Sequence, residues 1–314
     1  MLKYLIILLD DTSVSYCHYP NTETQEFLIP IETLKKGLVF AMKENLDVQF
    51  VYPSKSLPLE YKPLIDCVEH TDIIPAECKQ VAQIVVFDDC TKFKNCELHK
   101  DIAYVLRIST KQLFKDYKAI VNVLGTVSRI NIVLSDIDSM NDDDFKTYQD
   151  VLNVLSDSLF EYYVKGFYPQ LNLISDRIIL SNMNNCGAAV NTVTLAPNGK
   201  FYVCPAYYHE NKDNHIGDLE HGLDIKNARL YKLEYALICS HCDAYQCRRC
   251  IWMNQRTTLE VNTPGREQCI VSHIERNASK RLLERLHTQG LFKQIAPIKE
   301  IDYLDPFEKR NEWE

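Results

Sequence analysis

Seven of the chain's twelve cysteines fall between positions 186 and 269, and this crowding constrains what the C-terminal half can become. The other five (Cys17, Cys67, Cys78, Cys90, Cys96) are scattered ahead of position 186, and none follows Cys269. The opening run Leu2-Lys3-Tyr4-Leu5-Ile6-Ile7-Leu8-Leu9 is too short to span a bilayer and has no small-residue cleavage site behind it. It reads as a buried first strand, and no later stretch is long and apolar enough to cross a membrane. The expectation is a cytoplasmic protein without a membrane partner. In a reducing compartment, cysteines serve as thiolate ligands or buried thiols rather than as disulfides.

A length of 314 residues accommodates two domains. The cysteine asymmetry divides the chain into an α/β domain at 1–180, a cysteine-rich domain at 181–290 and a tail at 291–314. A formal charge of −8 argues against nucleic acid as a partner, because backbone binding needs a clustered excess of Lys and Arg. In the first half, strands are predicted at 4–9, 48–52, 83–87, 104–108 and 130–134. Their continuous apolar character fits strands buried on both faces of a parallel sheet. Helical spacing covers 33–44 and 111–124. The clearest helix runs over 143–165, where Phe145, Tyr148, Val151, Leu152, Leu155, Leu159 and Tyr162 step along one face. Alternating strands and helices imply an α/β fold with a mostly parallel sheet.

Ligands of such sheets sit beyond the carboxyl ends of the strands, where Asp10, Asp11, Asp88, Asp89, Ser135 and Asp136 fall. The ordinary role of Asp in that position is a turn residue or helix cap. A closing amphipathic helix is predicted at 272–287, with Gly290 near its C-cap.

Within the cysteine-rich segment, Val193-Thr194-Leu195, Pro197-Asn198-Gly199-Lys200 and Phe201-Tyr202-Val203 spell a β-hairpin with an Asn-Gly turn. That hairpin delivers Cys204, with Cys186 entering just ahead of it. Then come Cys239-Ser240-His241-Cys242 and Cys247-Arg248-Arg249-Cys250, and Cys269 closes the set. The C-x-x-C spacing lets two sulfurs face one centre while the intervening amides donate to them. Arg248 and Arg249 favour thiolate over thiol. Seven sulfurs exceed what one tetrahedral ion takes and fall one short of two complete four-cysteine sites.

This spacing resembles the SPASM domain, the auxiliary iron–sulfur domain of radical S-adenosylmethionine peptide-modifying enzymes. The first element, from Cys186 through Gly199-Lys200-Phe201-Tyr202-Val203 to Cys204, matches that family's pattern, and His215-Ile216-Gly217-Asp218-Leu219 matches its short glycine-containing segment. The central element is contracted by one residue in each of two gaps. By that resemblance, Cys239, Cys242, Cys247 and Cys269 would hold one 4Fe–4S cluster. Cys186, Cys204 and Cys250 would hold three irons of a second. Its fourth iron would be open, or held by His209, His215, Asp243 or a thiolate from a partner or substrate.

The same enzymes carry C-x3-C-x2-C after the first strand. Here that loop reads Asp10-Asp11-Thr12-Ser13-Val14-Ser15-Tyr16-Cys17, so with Cys17 as the third ligand, Val14 and Asp10 occupy the other two positions. Tyr16 stands where that loop has an aromatic residue, and a Gly-Gly-Glu motif is absent. The plainer reading of Cys17 is a lone buried thiol. As a whole, the chain resembles the CXXX repeat peptide maturase family. That resemblance implies a partial-barrel-like parallel sheet with helices, followed by a SPASM domain with a hairpin and a closing helix, in a bacterial cytoplasmic protein.

Two functions follow. The first is an iron–sulfur protein that supports maturation of a small precursor peptide with cysteine repeats, through precursor binding or redox support rather than radical chemistry of its own. The second is a non-catalytic zinc adaptor that recruits a partner modification protein. Cys239, Cys242, Cys247 and Cys250 would make its site, contributing on the order of 10 kcal/mol of folding free energy. The zinc reading leaves Cys186, Cys204 and Cys269 unexplained. A Cys17–His18 nucleophile is weaker still, since sequence neighbours rarely form a dyad. Tyr207, Tyr208 and Trp252 flank candidate ligands and would shield clusters from water.

Overall fold

The apolar N-terminal run forms strand β1 (Tyr4–Leu8) in a computed structural model that describes residues 2–78, 82–183 and 186–299. Leu5, Ile7 and Leu9 pack with Leu34 and Leu38 of helix α1 (Ile31–Glu44), while Ile6 and Leu8 belong to a second core on the other face. Successive side chains of a strand point to opposite faces, so a strand covered on both sides needs an unbroken apolar run.

The chain continues through β2 (Asp47–Val51), α2 (Lys62–Ile65), β3 (His70–Pro75), β4 (Ile84–Phe87), α3 (Cys90–Asn95) and β5 (Ala103–Ile108). It then forms α4 (Thr110–Val123), β6 (Arg129–Leu134), α5 (Asp142–Val164), β7 (Gln170–Leu171) and α6 (Ser175–Ile179). Strands β1 to β7 pair side by side in chain order, all parallel. The expected hairpin is present as β8 (Thr192–Leu195) and β9 (Phe201–Tyr202), with Gly199 at φ 77° in its turn. Strand β8 pairs parallel with β1 (Tyr4 beside Thr192), so the sheet has nine strands in the order β7-β6-β5-β4-β3-β2-β1-β8-β9. The large, mostly parallel α/β sheet expected from the sequence is therefore what forms, and residues on both sides of position 181 share it.

Beyond the hairpin lie α7 (Pro205–Glu210), the small pair β10 (Gly217–Asp218) and β11 (Gly222–Leu223), α8 (Ile251–Thr258) and α9 (Arg266–Thr288). Gly217, at φ 122°, is required at its position, because a Cβ there would overlap the Gly222 carbonyl oxygen.

The short helices α2, α3, α6, α7 and α8 and the pair β10–β11 were not anticipated, and three further elements differ from expectation. Strand β3 was not anticipated, because its first half, His70-Thr71-Asp72, is polar and only half buried. Two-residue β7 is too short to leave a periodic signal. Helix α9 begins at Arg266 rather than at 272, placing Cys269 inside it. Its early turns bury Gln268, Ser272, Glu275 and Arg276, so no apolar stripe marks them. Of these, Arg276 and Glu275 reach the cysteine segment with their side chains, at Asp243 and Gln246. The expected tail at 291–314 lies, from residue 300 onward, outside the described residues.

The strand-end carboxylates take the structural roles ordinary for them. Asp89 caps α3, and Asp136 accepts from the backbone N–H (2.8 Å) and Oγ1 (3.1 Å) of Thr110. Asp10 accepts from the Thr12 amide at 2.8 Å and its hydroxyl at 2.6 Å. Asp11 pairs with Lys212 at 2.6 Å and accepts from Tyr208 Oη. Asp88 pairs with Lys92 at 3.1 Å, and Ser135 Oγ donates to the Ile108 carbonyl at 3.3 Å.

Candidate metal centres

The seven candidate ligands divide into two groups around two cavities. Cys239, Cys242, Cys247 and Cys269 line the first, together with Met183, Arg249 and His273. Met183, Ala236 and Leu233 pack around these sulfurs and exclude water. The first C-x-x-C faces one cavity as the motif implied, whereas Cys247 and Cys250 line different ones. The Ala244 amide, two residues beyond Cys242, donates to Cys242 Sγ and the Arg249 amide to Cys247 Sγ, each at 3.4 Å. Cys242 Sγ also lies 3.6 Å from His273 Nε2. Burial pushes the Cys239 thiol up to about 12 and raises that of Cys247.

Helix α9 and its neighbours clamp the loop between Cys242 and Cys247. Asp243 accepts from Arg276 Nε (2.7 Å) and Nη2 (2.6 Å) and from Arg177 Nη2 (3.1 Å). Gln246 donates to the Ser272 carbonyl at 2.6 Å. Ser272, Glu275 and Arg276 of α9 are therefore partners of the ligand loop.

Arg249 tests what this cavity suits. Its residue is 1% exposed, and its Nη2 donates to the Tyr231 carbonyl (2.7 Å) and Asn262 Oδ1 (3.2 Å). Its Nε and Nη1 are buried and have no hydrogen-bond partner among the described residues. Its backbone is also held at φ 43°, a region L-residues seldom enter, at a cost of roughly 1–3 kcal/mol. A buried, half-satisfied guanidinium beside four thiols lacks a negative charge. A metal–thiolate centre carries one, so the residues fit such a group.

Cys186, Cys204 and Cys250 line the second cavity, of about 330 Å³, with Arg248, Trp252, Tyr4 and Ile6. Cys204 and Cys250 occupy the N-caps of α7 and α8. Neither sulfur makes a capping hydrogen bond, but first-turn amides (Ala206 for Cys204, Trp252 and Met253 for Cys250) act to lower these thiols. Burial outweighs this, and both thiols are raised above their ordinary range.

Cys17 lines the same cavity. It was expected as a lone thiol, and the structure instead sets it among three candidate ligands. Burial, opposed by Arg248, pushes it up to about 11. Its loop is anchored from the sheet: Arg107 Nε donates to the Cys17 carbonyl at 2.8 Å, and His18 Nδ1 meets the Leu134 carbonyl at 2.9 Å. The only sequence hint was the count of seven against eight.

The other suggested fourth ligands lie elsewhere. Asp243 is engaged by two arginines, and His215 is exposed. His209 stacks on Tyr19 with ring centroids 5.6 Å apart, and burial lowers it to about 4. The zinc set is divided, since Cys250 lines one cavity and Cys239, Cys242 and Cys247 the other. Among the described residues, no three His, Cys, Asp or Glu side chains gather closely enough for a single ion. Of the three aromatics, Trp252 lines the second cavity, while Tyr207 donates to Gln255 Oε1 at 2.7 Å and Tyr208 to Asp11.

No model of a known protein family matches this sequence, and no curated protein does either. Solved structures do match. The structure of anSMEcpe with bound AdoMet aligns at a TM-score of 0.62 and 12% identity, over 92% of this chain and 96% of that one. Native anSMEcpe with bound AdoMet and the Cp18Cys peptide aligns at 0.60 and 12% identity, over 91% and 99%. At that identity the shared feature is the fold. Among the described residues, no helix is long and apolar enough to cross a membrane.

Proposed function

We propose that the chain is an iron–sulfur protein of the CXXX repeat peptide maturase type, with a radical-SAM-like α/β part at 1–180 and a SPASM part at 181–290. It would bind a small cysteine-repeat precursor in the bacterial cytoplasm, alone or beside a partner modification protein. The observation that carries the reading is Arg249, a buried cation whose Nε and Nη1 have no partner among the described residues and which lines one cavity with Cys239, Cys242, Cys247 and Cys269. That arrangement suits an anionic cluster held by four thiolates. The second cavity supports a second cluster, at Cys186, Cys204 and Cys250.

A 4Fe–4S cluster supplies one-electron transfer when bound. The protein's own residues would set its potential and shelter. Amides of Ala244 and Arg249 donate to sulfur, Arg249 adds charge, and Met183 and Leu233 keep water out. The cavity beside Cys186 and Cys204 also offers Tyr4, Asn191, Arg248 and Trp252, a polar and aromatic lining suited to a peptide side chain. One fold neighbour was solved with the Cp18Cys peptide, which favours a peptide partner here. The loop after β1 has no ligand but Cys17, since Asp10 is engaged by Thr12, so self-sufficient radical chemistry is not part of the reading.

The test is anaerobic reconstitution with iron and sulfide, followed by metal analysis and the visible spectrum. About eight irons and eight sulfides per chain are expected, as two four-cysteine clusters require. A colourless protein holding one tight zinc would overturn the reading.

A further inference from the structure

We infer that Cys17 is the fourth thiolate of the second centre, so that both clusters are ligated wholly by cysteine. The inference rests on the cluster reading above and completes it. Seven cysteines leave the second centre one ligand short. The three groups that the sequence offered in its place stand apart from the cavity or are engaged elsewhere. Cys17 is the cysteine of the N-terminal half that lines it. Of the others, Cys67 and Cys96 are exposed, Cys78 points at the Pro53 carbonyl (3.5 Å) and Cys90 lies in the apolar core.

Geometry supports a ligand rather than a bystander. Cys17, Cys186, Cys204 and Cys250 surround one cavity, each contributed by a different segment of the chain. The segment carrying Cys17 is fixed at several points. Ser13 Oγ donates to the Val51 carbonyl (2.9 Å), the Val14 amide to the Tyr52 carbonyl (2.9 Å), and Arg107 and His18 fasten its far end. A ligand on so constrained a loop loses little entropy on binding iron. Arg248 on the cavity wall offsets part of the charge of four thiolates.

The consequence is a centre with no open iron. A substrate thiolate would not dock on the metal, and the remaining space beside Tyr4, Asn191 and Trp252 would place a peptide next to the cluster, outside its coordination sphere. The residue that stands where a radical enzyme has its third loop cysteine would thereby serve a different cluster.

The experiment uses the full chain, reconstituted anaerobically, as wild type, Cys17→Ala, Cys17→Ser and the core control Cys90→Ser. Iron content, electron paramagnetic resonance and cyanide addition to the dithionite-reduced protein are measured on each. Wild type is expected to hold about eight irons, to give no three-iron signal after mild oxidation and to ignore cyanide. Cys17→Ala should lose one iron or one whole cluster, about one or four irons per chain, and any cluster retained should show a three-iron signal on oxidation and respond to cyanide. Cys17→Ser, with an oxygen ligand, should keep the iron and change the spectrum. Cys90→Ser should match wild type. Wild-type spectra and iron content in both Cys17 variants would overturn the assignment, as would a cyanide response in wild type, which needs no variant to fold. A wild type that takes up no iron would sink the cluster reading itself, and the assignment with it.

Discussion

Glu275 should make this protein less stable as pH rises from 4.5 to 7, opposite to the usual behaviour of a paired carboxylate. It is buried on α9, where Tyr148 Oη donates to its Oε1 at 2.6 Å and Gln246 Nε2 lies 3.5 Å from its Oε2. Burial pushes its carboxyl up from 4.5 to about 7, against the pull of those two donors. Below pH 4.5 the folded and unfolded chains are both protonated and nothing is lost. Between 4.5 and 7 the unfolded chain has released its proton while the folded one keeps it, so unfolding gains. Above 7 the deficit is constant. One pKa unit corresponds to about 1.4 kcal/mol, so the full loss is about 3 kcal/mol. The assay is urea unfolding at pH 4.5, 6 and 8, comparing wild type with Glu275→Gln, whose amide keeps the shape and does not titrate. The difference between the two should grow by about 3 kcal/mol across that range, and their common titrations cancel. Parallel pH profiles, or a gap that widens toward acid, would refute the argument. Tyr148→Phe removes a donor to the ionised form and should steepen the loss.

Two further outcomes follow from the same region. Arg276→Met leaves Asp243 with Arg177 alone and should cost about 3 kcal/mol, the lower end for breaking a buried pair, because one partner remains. A double-mutant cycle with Asp243→Asn should show a coupling energy of at least about 1 kcal/mol; strict additivity would remove the clamp from the account. Arg249→Met should act with opposite signs in two states. Metal-free protein should gain about 1 kcal/mol, since an unsatisfied buried charge is removed. Iron-loaded protein should show a more negative potential for one cluster by voltammetry, because a cation that stabilised the reduced form is gone. A destabilised metal-free variant would contradict the unpaired state of Nε and Nη1.

Much of the architecture was legible because it depends on local pattern. Apolar runs announced β1, β2, β4, β5 and β6, and the stripe from Phe145 to Leu159 announced α5, whose start is set by the Asn141–Asp144 capping box. The illegible parts share one cause. Strand β3 and the first turns of α9 bury polar groups whose partners come from distant segments, so their burial leaves no mark in their own sequence. The spacing of the two C-x-x-C pairs did not by itself show that Cys250 parts from Cys247 and joins Cys186 and Cys204; the SPASM resemblance implied that division.

By itself, then, the sequence determined the strand–helix alternation, the hairpin that turns at Gly199 and the set of candidate thiols, because each follows from bonded neighbours and short-range geometry. The SPASM resemblance implied which of the seven thiols share a centre; the tertiary structure alone decided how distant segments bring them together and that Cys17 joins them. Parallel pairing of β8 with β1 carries the cysteine-rich segment to the first strand, and the anchored loop after that strand brings Cys17 to the cavity holding Cys186, Cys204 and Cys250. Contacts between residues so far apart are fixed by sheet order and by burial shared among many side chains, neither of which any short stretch of sequence contains.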